Sequence, residues 1–330
     1  MAQREQEILS KAHRQLLIGL LEATAGRGFD KIIEKDYRDL VDAESKKFVL
    51  VVGLATVHRL TMPEAIISRA LAQLRIGLSV SALLDRTSGI VRRSGDALVA
   101  RHPVYVERLF ELVVDKREKW EAIHALLSAF TVYSQPLMKS VGRNAGSILK
   151  LTLNHRFLKN ILHGDVGLTL EIYESFAKAF QDDALYWLHY GLALRDAGLN
   201  EDALDKLRVA RDSHRLRQAD HAYSQQLLII ADDAPNTLAL AYLHEAKGIL
   251  EALDAQVANA DSDESDYPIV TLSEHHTKIV SRVEGLARGR EVAKYYANIL
   301  GNRVKDSPDN QRLKRAWKTL IGFATTGEWD

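Results

Sequence analysis

The sequence predicts an all-α protein that contains one small β-hairpin. Apolar residues recur at intervals of three and four residues along nearly all of its 330 residues, which is the periodicity of amphipathic helices. Only six prolines are present, and most of the glycines stand between the periodic segments, where they end helices. A chain of this length is expected to form two or three domains, each with its own core.

The composition predicts a soluble, cytoplasmic protein without membrane contact. No apolar run approaches the roughly 18 to 20 residues that span a bilayer, and the polar opening Gln3–Gln6 differs from the apolar core of a signal peptide. The absence of cysteine excludes disulfides, thiolate zinc sites and cysteine nucleophiles, and it fits a reducing cytoplasm.

The two halves of the chain carry opposite net charges. Residues 1–165 hold 25 Lys and Arg against 18 Asp and Glu, whereas residues 166–330 hold 19 against 26. A basic half can bind nucleic acid, or it can face an acidic half or an acidic partner. Because the basic excess is spread along helices and forms no dense run, DNA is the less favoured partner.

The first predicted domain, residues 1–45, is a helical segment. A first amphipathic helix covers Ile8–Ala25 and ends at the glycines Gly26 and Gly28, and a second helix runs from Asp30 to Val41.

Residues 46–110 show a different pattern, namely three short helices followed by two strands. Thr61, with Pro63 in the first turn, predicts the start of the second helix, and Ser94–Asp96 predicts the turn of a β-hairpin. The first helix covers Phe48–Leu60, the second runs from the Thr61 N-cap to about Leu74, and the third covers Ser79–Asp85. The strands are Gly89–Arg93 and Ala97–Arg101. This order is typical of a winged helix. A helical connector over residues 111–165 follows.

A tetratricopeptide-like hairpin is predicted inside the last domain, residues 166–330. Its packing positions are Trp187, Gly191, Leu194, Gly198, Ala203, Leu207 and Ala210. Small residues at Gly191 and Ala203 allow close helix packing, and Gly198 supplies the positive φ that ends the first helix. The later helices are Ala219–Ile230, Leu238–Leu253, Leu272–Asp306 with a bend at Gly285 or Gly289, and Asp309–Phe323. Such a degenerate array binds peptides or protein segments.

Four segments resemble the C-terminal part of bacterial STAND-type P-loop ATPases: Glu22–Phe29, Phe48–Leu60, Gly89–Arg101 and the step Arg101–Pro103 into a helix. In these signalling and anti-phage defence proteins, a nucleotide-binding domain is followed by a helical segment, a winged helix and tetratricopeptide-like sensor repeats. The resemblance implies a sensor or scaffold that works with a nucleotide-binding domain in the same assembly. It also implies that Arg101 and His102 contact phosphates in an intact ATPase.

The chain departs from that family because it lacks a Walker sequence. The nearest glycine cluster, Val141–Gly146, has no lysine to reach the β- and γ-phosphates. We therefore expect no cofactor. The chain is either a fragment that holds the regulatory and sensor half or a protein that kept only this half.

No residue pattern predicts catalysis or a metal site. The adjacent His275 and His276 point about 100° apart on a helix and are expected at a solvated helix start, without a metal partner at helical spacing. No Ser, His and Asp set assembles with any specificity. The sequence therefore favours a non-enzymatic module whose partner is a protein or peptide.

The alternative hypothesis is a winged-helix transcriptional regulator with a peptide-sensing repeat domain. Its basic cluster consists of Arg86, Arg92, Arg93, Arg101 and Arg108. In this hypothesis Arg92 and Arg93, on the wing, contact the nucleic acid. The third helix, however, offers only small, apolar and acidic side chains to the major groove. Packing against a protein or another domain is therefore favoured over DNA binding.

Overall fold

The fold is given by a computed structural model that describes residues 27–40, 42–214, 216–257 and 266–329. Within these ranges the chain is mostly helical and has one small three-stranded sheet, which confirms the mostly helical class that the periodicity predicted. The chain divides into two compact units, Met1–Gln181 and Asp182–Asp330, called unit 1 and unit 2 below. The predicted helix Ile8–Ala25 lies outside the described residues.

Unit 1 contains helices and the sheet. Its elements up to residue 100 are α1 (Arg27–Arg38), α2 (Ala43–Thr56), β1 (Met62–Pro63), α3 (Glu64–Gln73), α4 (Val80–Arg86), β2 (Val91–Ser94) and β3 (Ala97–Ala100). The helices that follow are α5 (Pro103–Leu112), α6 (Lys116–Ser128), α7 (Leu137–Ser140), α8 (Arg143–Thr152), α9 (His155–Ile161) and α10 (Val166–Phe176).

Helix α2 forms the centre of unit 1. Every residue from Phe48 to Thr56 is buried, and helices α3 to α6, helix α8 and strand β3 pack around it. A helix that is apolar on all sides is stable only when it is enclosed. Gly53 allows the close approach of α5, because a Cβ at this position would lie 2.9 Å from Val106 Cγ1.

Strand β1 adds a third strand to the predicted hairpin. The antiparallel sheet has the order β1-β3-β2, with Met62 opposite Leu98 and Pro63 opposite Ala97. The prediction that Pro63 stands in the first turn of a helix is wrong, because Pro63 lies in the edge strand and α3 begins at Glu64. An edge strand tolerates proline, since its outer side needs no N–H donor.

The border between the units falls after Gln181, later than the predicted border between residues 165 and 166. Helix α10 packs on α6 and α9. The buried hydroxyl of Tyr173 on α10 donates a hydrogen bond of 2.6 Å to the carbonyl oxygen of Leu153. Helix α10 therefore belongs to the core of unit 1.

Unit 2 is an array of antiparallel helix pairs. Its helices are α11 (Ala184–Asp196), α12 (Asn200–Ser213), α13 (Arg217–Asp233), α14 (Asn236–Val257), α15 (Tyr267–Glu284), α16 (Leu286–Asp306) and α17 (Gln311–Thr326). Each helix packs on the next, and α11, α13, α15 and α17 also contact one another in series. A continuous apolar core extends from Leu188 to Phe323.

The region predicted as one bent helix over Leu272–Asp306 is two helices. Gly285 between them has a φ of +100°, which L side chains rarely adopt, and α15 and α16 fold back on each other at this point. Gly289 lies instead in the helix contact, where a Cβ would stand 2.5 Å from Ser281 Cβ.

Candidate binding site

The residues predicted as repeat-packing positions lie in the hairpin α11–α12. Gly191, Leu194, Ala203, Leu207 and Ala210 are buried. A Cβ on Gly191 would lie 2.6 Å from Leu207 Cγ, and Gly198 has a φ of +77° at the turn. Trp187 is partly buried and stacks on Tyr190 with 6.1 Å between ring centroids. These residues form packing contacts inside the hairpin.

The arginines of the predicted basic cluster are mostly paired with carboxylates of unit 1. The pairs are Arg86–Asp42 at 3.3 Å, Arg101–Asp36 at 3.3 Å, Arg108–Asp30 at 2.7 Å, and Arg93–Glu64. Arg92 is exposed, and no described carboxylate lies within ion-pair distance of it. Surface pairs add little stability, but here they neutralise the cluster. Little net positive charge is left for a phosphate backbone.

Arg101 and His102 lie next to each other at the start of α5, where both are engaged locally. His102 caps the helix, since its Nδ1 accepts a hydrogen bond of 3.2 Å from the Val104 N–H, and burial lowers the pKa of its imidazole. The ion pair with Asp36 partly neutralises Arg101.

A row of polar and aromatic side chains crosses the first helices of unit 2, and in it Tyr267 and Arg312 are exposed whereas Thr271 is buried. Its members are Arg195 on α11, His221 and Gln225 on α13, Tyr267 and Thr271 on α15, and Arg312 on α17; we call it the first-helix face. Arg195 Nη1 donates to Gln225 Oε1 at 2.9 Å, and His221 Nε2 lies 3.2 Å from Thr271 Oγ1. The Arg312 guanidinium stacks 3.6 Å from the centroid of the Tyr267 ring. Side chains from four helices thus form one row of contacts, of which Tyr267 and Arg312 reach the solvent.

The first-helix face ends in a pocket of about 350 Å³ between α15 and α17. Its lining residues are Val270, Glu274, Lys278, Arg312, Arg315, Ala316, Thr319 and Trp329; we call it the basic pocket. The Trp329 ring stacks on Phe323 at 4.4 Å between centroids, and Lys278 Nζ lies 5.2 Å from the centroid of the Trp329 ring. The pocket therefore combines cations with an aromatic wall.

Positive charge dominates the basic pocket although unit 2 is acidic. Residues 182–330 hold 18 Lys and Arg against 24 Asp and Glu, yet α17 has four basic residues and no acidic one. The basic residues of α17 are Arg312, Lys314, Arg315 and Lys318. Among the described residues, no carboxylate lies within ion-pair distance of Lys278, Arg315 or Lys318. Glu274 is the carboxylate in the lining of the pocket.

Burial keeps two histidines of unit 2 uncharged near neutral pH. Desolvation lowers the pKa of His221 to about 4 and that of His276 to about 4, because burial disfavours the imidazolium. His276 Nδ1 lies 2.9 Å from the Tyr296 hydroxyl, and His275 Nδ1 lies 3.3 Å from Asp232 Oδ2. The predicted solvated helix start at His275 and His276 is wrong, since α15 begins at Tyr267 and both side chains are partly buried.

Sequence reasoning missed the basic pocket. Four basic residues occur within the seven from Arg312 to Lys318, but the acidic average of the second half hides this run. Tyr267 and Trp329 come close to it only through the packing of α15 and α17. A charge count in a short window would have found α17, whereas the aromatic partners required the fold.

Comparison with known proteins returned no match: no protein-family model, no curated protein and no solved structure matches the chain. None of the helices in the described ranges combines the length and apolar character that a membrane crossing requires. The described residues also contain no group of three His, Asp or Glu side chains placed to hold a metal ion.

Proposed function

We propose that this chain is a non-catalytic interaction module of a STAND-like bacterial regulatory or anti-phage defence protein. In this proposal unit 1 is a winged-helix-like module that contacts other parts of the assembly, including a nucleotide-binding domain. Unit 2 is a tetratricopeptide-like sensor array that binds a protein or peptide through its first-helix face.

The connectivity of unit 1 supports the winged-helix part. Helices α2, α3 and α4 precede the hairpin β2–β3, and β1, between α2 and α3, pairs with β3. A winged helix has this order of helices and strands. Its third helix exposes Ser81 and Asp85, and its exposed Arg86 pairs with Asp42 at 3.3 Å. These side chains suit a protein neighbour better than a phosphate backbone.

The first-helix face is the observation that carries the proposal. Stacked helical hairpins bury their small residues and present the polar side chains of successive helices along one surface. Here that surface joins the ring of Tyr267, the guanidinium of Arg312 and the amide of Gln225. Aromatic and arginine side chains are enriched at the energetic centres of protein interfaces.

A random-peptide array probed with the purified full chain tests the proposal. We expect the wild type to retain a subset of peptides. Tyr267→Ala should weaken that binding about tenfold, because truncation of an aromatic anchor removes the ring on which Arg312 stacks. Tyr295→Ala is the matched control, since Tyr295 on α16 is 60% exposed and lies outside the first-helix face.

Two results would contradict the proposal. If the wild type retains no peptide more strongly than Tyr267→Ala does, the proposed peptide binding is contradicted. Micromolar binding of ATP by the chain alone, measured by calorimetry, would contradict the assignment to a module without nucleotide chemistry.

A further inference from the structure

The basic pocket has a charge that one dianionic group would balance. Its lining contains three cations, Lys278, Arg312 and Arg315, against one carboxylate, Glu274. The lining therefore carries two net positive charges. A phosphorylated serine or threonine carries about −1.5 to −2 at pH 7, whereas a glutamate or aspartate side chain carries only one negative charge. From this match we infer that the pocket binds a phosphorylated side chain of the protein partner.

The two arginines are placed to contact such a group together. Arg312 and Arg315 are three residues apart on α17, so their side chains leave the helix on the same side. The planar guanidinium binds phosphate through two parallel N–H groups. Stacking on Tyr267 at 3.6 Å already orders the Arg312 head group, which lowers the entropy lost on binding.

Apolar side chains also line the basic pocket. Trp329, Val270 and Ala316 supply apolar surface in the lining, and Trp329 is held in place by Phe323. A volume of about 350 Å³ accommodates one side chain with its phosphate.

The charge distribution of unit 2 favours a peptide over a nucleic acid. Outside the pocket, unit 2 is acidic, and the segments that flank α17 contain Asp306, Asp309 and Glu328. An extended polyanion would meet these carboxylates, whereas a single dianion would not. Lys314 and Lys318 line a second, shallower groove beside Arg315, where an acidic residue next to the phosphorylated one can bind.

Two matched peptide libraries test this inference, which rests on the proposed function. One is a degenerate fluorescent library with phosphoserine fixed at its centre, and the other has serine there. We expect the full-length wild type to retain the phosphoserine library at least about tenfold better, because the charge-assisted contacts are absent from serine. The double variant Arg312→Gln/Arg315→Gln should lose this preference.

The control variant removes the same charge from two residues that do not line the pocket. In Arg208→Gln/Arg288→Gln, both arginines are exposed and pair with carboxylates three residues away on their own helices. This variant should keep the preference for phosphoserine. Thermal unfolding of both double variants establishes that they are folded before the libraries are compared.

Three other outcomes would contradict the inference. If the wild type retains both libraries equally and Tyr267→Ala retains neither, the pocket does not recognise phosphate, but the proposed peptide binding stands. If the wild type retains neither library, both the phosphate inference and the proposed peptide binding are overturned. Binding of oligouridine at about 150 mM salt that disappears in Arg312→Gln/Arg315→Gln would make the pocket a nucleic-acid site and overturn the inference.

Discussion

Lys119 is a charged residue enclosed in the core of unit 1. Its side chain is fully buried, and its Nζ lies 2.5 Å from His163 Nε2. Burial lowers the pKa of Lys119 to about 8, because the ammonium group loses hydration that this contact replaces only in part. Sequence alone does not reveal this, since Lys119 stands among charged residues at the start of α6.

We predict that Lys119→Met raises the free energy of unfolding at pH 7 by about 1 to 3 kcal/mol, as replacement of buried charges by apolar groups often does. The pKa is lower in the folded chain than in the unfolded chain, where it is about 10.4. Between these values the unfolded chain binds more protons, so the wild type becomes more stable as pH rises. The gain from Lys119→Met should therefore shrink toward pH 10.

Urea unfolding at pH 7 and pH 10 measures this effect. Lys116→Met is the control on the same helix, because Lys116 is largely exposed and its replacement should change stability by no more than about 0.5 kcal/mol. A gain from Lys119→Met that is the same at both pH values would show that the buried charge is not its source.

The buried histidine His276 predicts a loss of stability in acid. Its pKa is about 4 in the folded chain and about 6.5 in the unfolded chain. As pH falls from 6.5 to 4 the unfolded chain takes up the additional proton, and stability decreases. His276→Gln keeps a hydrogen-bonding group near Tyr296 and should lose about 1 to 2 kcal/mol less than the wild type between pH 7 and pH 5.

Unfolding curves of the two proteins at both pH values provide the comparison, and His244→Gln, at an exposed position of α14, is the control. An acid response of His276→Gln identical to that of the wild type would rule out His276 as the titrating group.

At the scale of elements, the hairpin α11–α12 depends on the absence of a side chain at Gly191. A Cβ there would lie 2.6 Å from Leu207 Cγ and 3.2 Å from the Ala203 carbonyl oxygen. Gly191→Ala should therefore destabilise the chain by about 1 to 3 kcal/mol, the usual cost of overpacking. Urea unfolding monitored by circular dichroism measures it.

Gly248 is the matched control for this substitution. It lies inside α14, and a Cβ there would meet no atom within 4 Å. Gly248→Ala should stabilise the helix by up to about 1 kcal/mol, because alanine has the higher helix propensity. If Gly191→Ala stabilised the chain as Gly248→Ala does, the close packing at Gly191 would be refuted.

Elements with a strong local signal could be predicted from the sequence, and those that depend on distant partners could not. The turn between β2 and β3 was visible because Gly95, with a φ of +66°, follows Ser94. Strand β1 was not, because Met62 and Pro63 are strand residues only through their pairing with Leu98 and Ala97. The dipeptide alone is equally compatible with a helix start.

Across the whole chain, the sequence showed the charge of each region but not how the charges pair. The carboxylates that neutralise the arginines of unit 1 are distant in sequence, since Arg108 pairs with Asp30 and Arg101 with Asp36. For the same reason the net charge of the second half concealed the basic pocket. Charge counting along the chain therefore revealed neither the ion pairs of unit 1 nor the basic run of α17.

This pairing leads to a prediction about DNA. With four of its five clustered arginines paired, the wild type should not shift a random duplex in a mobility assay, even at low salt. Glu64→Gln/Asp36→Asn frees Arg93 and Arg101, so it should bind the duplex weakly, and moderate salt should abolish that binding through counterion release. A wild-type shift that weakens steeply with salt would mean that the ion pairs open on DNA, and it would restore the transcriptional-regulator hypothesis for unit 1.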